Sequence, residues 1–88
     1  MRVQATKTMA MEINKHFKAI ERFKGYKAVC HKGYDFWGCE KQVITIYYPY
    51  EYYAFPQDYC TEDLVKVFKQ SDKTYEGFFE KLLEVVEV

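Results

Sequence analysis

The sequence predicts a small α+β fold: an antiparallel sheet of two to three strands covered by helices, in the order β-α-β-β-α-α. Three observations carry that prediction. Met9, Ile13, Phe17 and Ile20 recur at helical spacing near the start of the chain. Gln42-Val43-Ile44-Thr45-Ile46-Tyr47-Tyr48 is a β-branched and aromatic run of the kind that builds strands. Near the end, Tyr75, Phe78, Phe79, Leu82, Leu83 and Val86 form a second helical stripe, with Glu76, Glu80, Glu84 and Glu87 on the opposite side. A two-stranded hairpin is unstable by itself, so the helices must cover the sheet.

Taken in order, residues 2–5 read as a short opening strand. Thr6 or Thr8 can cap the helix that follows, which runs to about Lys24, where Gly25 suits a left-handed end. Tyr26–His31 alternates and reads as a strand paired antiparallel with 41–48; Lys32–Glu40, with Gly33 and Gly38, reads as their connection. Pro49 stops the second strand, and residues 49–60 read as a long connection. Thr61 is a candidate N-cap, with Glu62 and Asp63 at the positive end of a helix that carries Leu64, Val67 and Phe68 inward. Ser71-Asp72-Lys73-Thr74 breaks that helix and starts the last one. The predicted core is Ile13, Phe17, Ile20, Ile44, Ile46, Phe68, Phe78 and Leu82.

The chain has 88 residues, which we read as one domain, 1–88. A domain this small buries only ~60% of the surface its unfolded chain exposes. Apolar residues make up 49% and charged residues 30%, a globular balance rather than a disordered one. Net charge is zero but polarised: residues 1–48 carry +5 and residues 49–88 carry −5. Neither a polyanion mimic nor an overall basic nucleic-acid binder has that profile. No apolar run approaches the ~18 residues of a membrane span, and the first residues lack a signal-peptide pattern, so the expectation is a cytoplasmic protein. Cys30, Cys39 and Cys60 are odd in number and unpaired in spacing, which points to reduced thiols.

Chemistry is hard to find. Cys30, His31, Cys39 and His16 are the only conceivable metal cluster, but zinc ligands usually come in pairs two to four residues apart, and these do not. The plain reading makes Cys30 a small core residue and points His31 at solvent. A Cys–His nucleophile pair lacks any glycine-rich oxyanion turn. The glycines form no phosphate loop. The expectation is no enzyme, no cofactor and no metal.

Two surface features remain. Lys7, Lys15, Lys18 and Arg22 share the polar side of the first helix and form a candidate basic face. Tyr47, Tyr48, Tyr50, Tyr52, Tyr53, Phe55 and Tyr59 place seven aromatics in 13 residues. Ordered connections this long are often functional, and Tyr is over-represented at interfaces. Alternate rings could equally pack beneath the helices. On this reading Tyr50, Glu51, Tyr52, Tyr53, Phe55 and Asp58 form the partner-binding patch.

Tyr48-Pro49-Tyr50-Glu51-Tyr52-Tyr53-Ala54-Phe55-Pro56 with Thr61-Glu62-Asp63-Leu64, then Ser71-Asp72-Lys73-Thr74-Tyr75-Glu76-Gly77-Phe78, and the start Ala5-Thr6-Lys7, carry a resemblance. The chain resembles small uncharacterised accessory proteins of Firmicutes phages and conjugative elements, of which anti-CRISPR proteins are one class. That resemblance implies binding to a host or rival protein and transfers no site residues. The functional expectation is therefore a non-enzymatic protein-binding module, such as an inhibitor of a host defence protein. The alternative is a single-stranded nucleic-acid binder that stacks bases on Tyr and holds phosphates on the basic face. Residues 47–60 contain no Lys or Arg but do contain Glu51 and Asp58, which disfavours the alternative.

Overall fold

In a computed structural model, the structure describes residues 2–49 and 56–87. The first helix, α1, spans Lys7–Ala19, and the Thr6 hydroxyl caps it by accepting the Met9 N–H at 3.1 Å. Met9, Ala10, Ile13 and Phe17 form its buried stripe. The helix stops at Ile20, which is extended, and the chain continues through a 3-10 turn at Glu21–Phe23 rather than as helix to Lys24. The break has a packing reason. At ~100° per residue, an unbroken helix would turn Phe23 about 120° away from Phe17 and out of the core. Instead Phe23 is buried, with its ring 5.6 Å from that of Phe17 and 5.2 Å from that of Tyr26.

Gly25 follows at φ +93°, and a Cβ built there would lie 3.0 Å from the Pro49 side chain. Both the left-handed backbone and the close approach require glycine. Gly25→Ala is expected to destabilise the fold by ~1–2 kcal/mol, seen as a lower urea midpoint with an unchanged slope. An unshifted midpoint would show that the turn at Gly25 adapts freely.

The sheet has three strands in the order β1-β2-β3, both pairs antiparallel. They are β1, Lys27–Tyr34; β2, Glu40–Tyr47; and β3, Gln57–Cys60. Ala28 pairs with Ile46 and His31 with Val43, while Ile44 pairs with Tyr59 and Thr45 with Asp58. Ile44 and Ile46 turn one face of β2 into the helical core; Val43 and Thr45, on the other face, are also buried. The α+β class is as the sequence predicts, but the element order is α-β-β-β-α-α. Residues 2–5 form no strand. Val3 and Ala5 are buried, yet the Ala5 N–H donates to the Thr61 hydroxyl at 2.9 Å and pairs with no strand. The segment before Cys60, expected as connection, supplies β3 instead.

Helix α2 spans Thr61–Gln70 and α3 spans Tyr75–Glu87. Cys60, not Thr61, is the N-cap of α2: the Asp63 carboxylate accepts the Cys60 N–H at 3.1 Å. That leaves the Thr61 hydroxyl free for Ala5. The Thr74 hydroxyl starts α3 by accepting the Gly77 N–H at 3.0 Å, and Asp72 in turn accepts from the Thr74 hydroxyl at 2.6 Å. Phe78, Phe79, Leu82, Leu83 and Val86 are all buried. Of the eight predicted core residues, six are buried; Ile20 and Phe68 are half-buried and pack against the others. His16 of α1 stacks on Phe79 of α3 with ring centroids 4.0 Å apart. Among the described residues, no helix is long and apolar enough to cross a membrane.

One contact braces the edge of the sheet. The Asn14 side chain donates to the Ala28 carbonyl and accepts the Ala28 N–H, both at 2.8 Å. Phe17 meets Tyr26 and Asn14 meets Ala28, so α1 runs against the direction of β1.

Candidate protein-docking surface

The most exposed apolar side chains of the described residues lie at the tip of the β1–β2 hairpin. Phe36 is 93% exposed, Trp37 83% and Tyr34 71%. Large apolar groups on a soluble fold normally turn inward, so three of them together at one tip are informative.

The tip is built rigidly. Asp35 N–H donates to the Cys39 carbonyl and Gly38 N–H to the Asp35 carbonyl, each at 3.0 Å. Gly38 adopts φ +79°. A tight turn followed by a left-handed glycine is a recurrent three-residue hairpin connection, and its twist suits paired strands. The Asp35 carboxylate also accepts the N–H groups of Trp37 and Cys39, both at 2.9 Å. The two central turn positions, Phe36 and Trp37, then project away from the sheet. Their rings meet edge-on at 90°, with centroids 5.4 Å apart. The backbone is held by hydrogen bonds and the rings hold each other, so the aromatic surface is preorganised. Preorganisation lowers the ordering cost of binding.

The sequence-predicted patch falls differently. Tyr50, Glu51, Tyr52, Tyr53 and Phe55 lie outside the described residues. Asp58 is exposed on β3, and its carboxylate accepts the Thr45 hydroxyl at 2.5 Å. The same Thr45 oxygen lies 2.5 Å from His31 Nε2. These three residues form a chain across all three strands, so His31 is tied to its neighbours rather than merely facing solvent. Thr45 gives its one proton to Asp58 and therefore accepts from the imidazole. The arrangement staples strands.

The remaining aromatics of that segment divide. Tyr47 is exposed; Tyr48 is half-buried, its hydroxyl donating to the Val86 carbonyl at 3.1 Å; Tyr59 is buried and donates to Gln57 at 2.8 Å. Burial pushes the Tyr59 phenol up to about 12 from the ordinary 10.0. A phenol that ionises less readily when folded contributes stability below pH 10.0, and this is lost as pH rises toward about 12. Urea midpoints of the parent chain are therefore expected to fall across that window, and more steeply than those of Tyr59→Phe. Parallel pH profiles would contradict this.

The basic face also divides. Lys7, Lys15 and Lys18 are exposed on α1, with Lys15 3.8 Å from Glu12. Arg22 sits beyond the break at Ile20, and its guanidinium lies over the Phe23 ring at 5.2 Å. The four cations do not form one helical stripe. Cys30, Cys39 and Cys60 are free thiols. Burial pushes the Cys60 thiol up, which reduces the thiolate that a nucleophile needs. Among the described residues, no group of three His, Cys, Asp or Glu is placed to hold a metal.

Sequence reasoning passed over the hairpin tip by treating 32–40 as mere connection. The available signal was Asp35-Phe36-Trp37-Gly38, a turn-forming Asp and Gly around two aromatics, one of them the only Trp of the chain. No known family model, curated protein or solved structure matches the chain.

Proposed function

We propose that the chain is a non-enzymatic protein-binding module that docks through the tip of its β1–β2 hairpin. One observation carries this: Phe36 and Trp37 are almost wholly exposed on a turn held by four hydrogen bonds to Asp35 and Cys39. Trp anchors are enriched among residues that dominate interface energies. The resemblance to accessory proteins of phages and conjugative elements extends the proposal to an inhibitor of a host defence protein, such as an anti-CRISPR. The alternative, base stacking on the same rings, needs unpaired cations beside them. The nearest strand cations are Lys32, 4.0 Å from Glu40, and Lys41, and Asp35 and Glu40 balance them. That near-neutral surrounding favours a protein.

The test is capture from source-cell lysate on the immobilised chain and on the double variant Phe36→Ala/Trp37→Ala. A protein retained by the parent and lost by the variant supports the proposal. Retention of polynucleotide, released by modest salt and indifferent to protease, would replace it with the stacking alternative.

A further inference from the structure

Among the described residues, strand β1 is an edge of the sheet, and one side of its backbone has no neighbouring strand. Two sets of hydrogen bonds fix which residues face that side. Asp35 N–H bonds the Cys39 carbonyl, which continues the ladder to β2 at odd-numbered residues. Ala28 spends both its backbone groups on Asn14, so even-numbered residues face away from β2. Antiparallel alternation then turns the N–H and C=O groups of Cys30, Lys32 and Tyr34 outward. Among the described residues, their one side-chain contact is His31 Nδ1, 3.0 Å from the Lys32 carbonyl. Asn14 thus plugs the first outward position, and among the described residues the N–H groups of the next three and the carbonyls of Cys30 and Tyr34 stay open.

An open edge is a template for another strand, and natural folds usually blunt it. Here the open half is instead flanked by apolar side chains. Met11, one turn before Asn14 and 69% exposed, lies toward it because α1 runs against β1. Phe36 and Trp37 stand at its far end. The charge along this edge leans positive, since Lys15, Lys18, Lys27 and Lys32 outnumber Glu12, 3.8 Å from Lys15, and Glu40, 4.0 Å from Lys32. β1 carries Lys27, His31 and Lys32 and no acidic residue, and Lys15 and Lys18 lie beside Asn14 on α1. A second copy of this chain would bring those lysines against their equivalents, and like charges across a strand pair are unfavourable. An acidic strand would be attracted.

We infer that a partner protein docks by adding an extended, acidic segment to β1 along Cys30–Tyr34, its side chains reaching Met11 and the Phe36–Trp37 tip. This rests on the protein-binding reading and specifies its geometry: main-chain hydrogen bonds for affinity, charge and aromatic contacts for selectivity.

The test uses the whole chain to select from a displayed library of random peptides of ~12 residues, enough to span an average strand with flanks. Selected peptides are expected to be rich in Asp or Glu and β-branched residues, and to shift the amide resonances of Cys30, Lys32 and Tyr34. N-methylating alternate peptide residues in one phase should weaken binding roughly tenfold or more, while the opposite phase should be tolerated, because only one set of amides faces the edge. Lys32→Pro should weaken binding likewise. Its N–H points away from β2, so the ladder survives the substitution, and a melting curve verifies the fold. No selected binder, equal effects of the two methylation phases, or self-association through this edge would each overturn the inference. Binders that lose affinity with Phe36→Ala/Trp37→Ala, but not with methylation or Lys32→Pro, sink strand addition and keep the aromatic tip. Binders sensitive to methylation and indifferent to the tip variant sink the tip reading and keep the strand.

Discussion

Phe78→Ala is expected to leave the chain largely unfolded in moderate urea where the parent is folded. Phe78 is fully buried, its ring 5.1 Å from that of Phe79 and 6.2 Å from that of Phe68. It therefore ties α3 to α2 within the core cluster that also holds Ile44 and Ile46. Truncating a buried Phe costs ~3–5 kcal/mol, the sum of lost transfer energy and an incompletely collapsed cavity. At ~0.05–0.15 kcal/mol per residue, the whole stability of an 88-residue chain is about 4–13 kcal/mol. One ring is thus a large share of the total. Glu80→Gln, on the exposed side of the same helix, should change stability by no more than ~0.5 kcal/mol. If Phe78→Ala loses less than ~1.5 kcal/mol, Phe78 is not a main tie between α3 and α2.

Trp37→Ala and Phe36→Ala are expected to do the opposite. Neither ring buries much area in the free chain, so each melt should stay within ~0.5 kcal/mol of the parent. Against a purified partner, the Trp37 truncation should cost ~2 kcal/mol or more, and Phe36 somewhat less. Calorimetric titration of parent and variants measures both. The contrast matters more than either number: lost binding with an intact fold separates an interface ring from a core ring. A melt that collapses would show that the tip packs against something in the free chain. Unchanged affinity would move the interface elsewhere.

How much of this was legible in the sequence depended on whether each element declared itself locally. Helix α3 did. Phe78, Phe79, Leu82, Leu83 and Val86 recur at a period that only a helix can bury on one side, and all five are buried. Strand β2 did as well, because Val43–Tyr47 combines β-branching with aromatic content. Strand β3 did not. Gln57-Asp58-Tyr59-Cys60 has one strong strand former and is four residues long. It is a strand because β2 offers an edge, which is a tertiary cause. The opening segment failed in the reverse way. Residues 2–5 read as a strand, yet they pair with none: Val3 and Ala5 are buried, and Ala5 spends its N–H on Thr61. Helix α1 was predicted too long because Phe23 lies off the stripe, and the break at Ile20 brings it inward.

The candidate site was the least legible part. Counting aromatics drew attention to the Tyr-rich stretch, where Tyr59 proves to be core and Tyr48 is half-buried. Composition cannot tell a ring that packs from a ring that projects. Turn chemistry can: Asp35 and Gly38 enforce a turn whose central side chains have nowhere to go but outward.

The bond from Ala5 to Thr61 joins groups separated by 56 positions in the chain. The β1–β2 hairpin, by contrast, is paired through residues that are close in sequence and can form within microseconds. Closing a long loop costs entropy that is recovered only once both ends are already in place. The N-terminal arm is therefore a late arrival on the folding route, docking after the sheet and the start of α2 exist to receive it. During synthesis Ala5 must wait until Thr61 has been made before its N–H finds this partner. The arm precedes its partner by 56 positions and docks after it, so Val3 and Ala5 stay exposed until α2 has started.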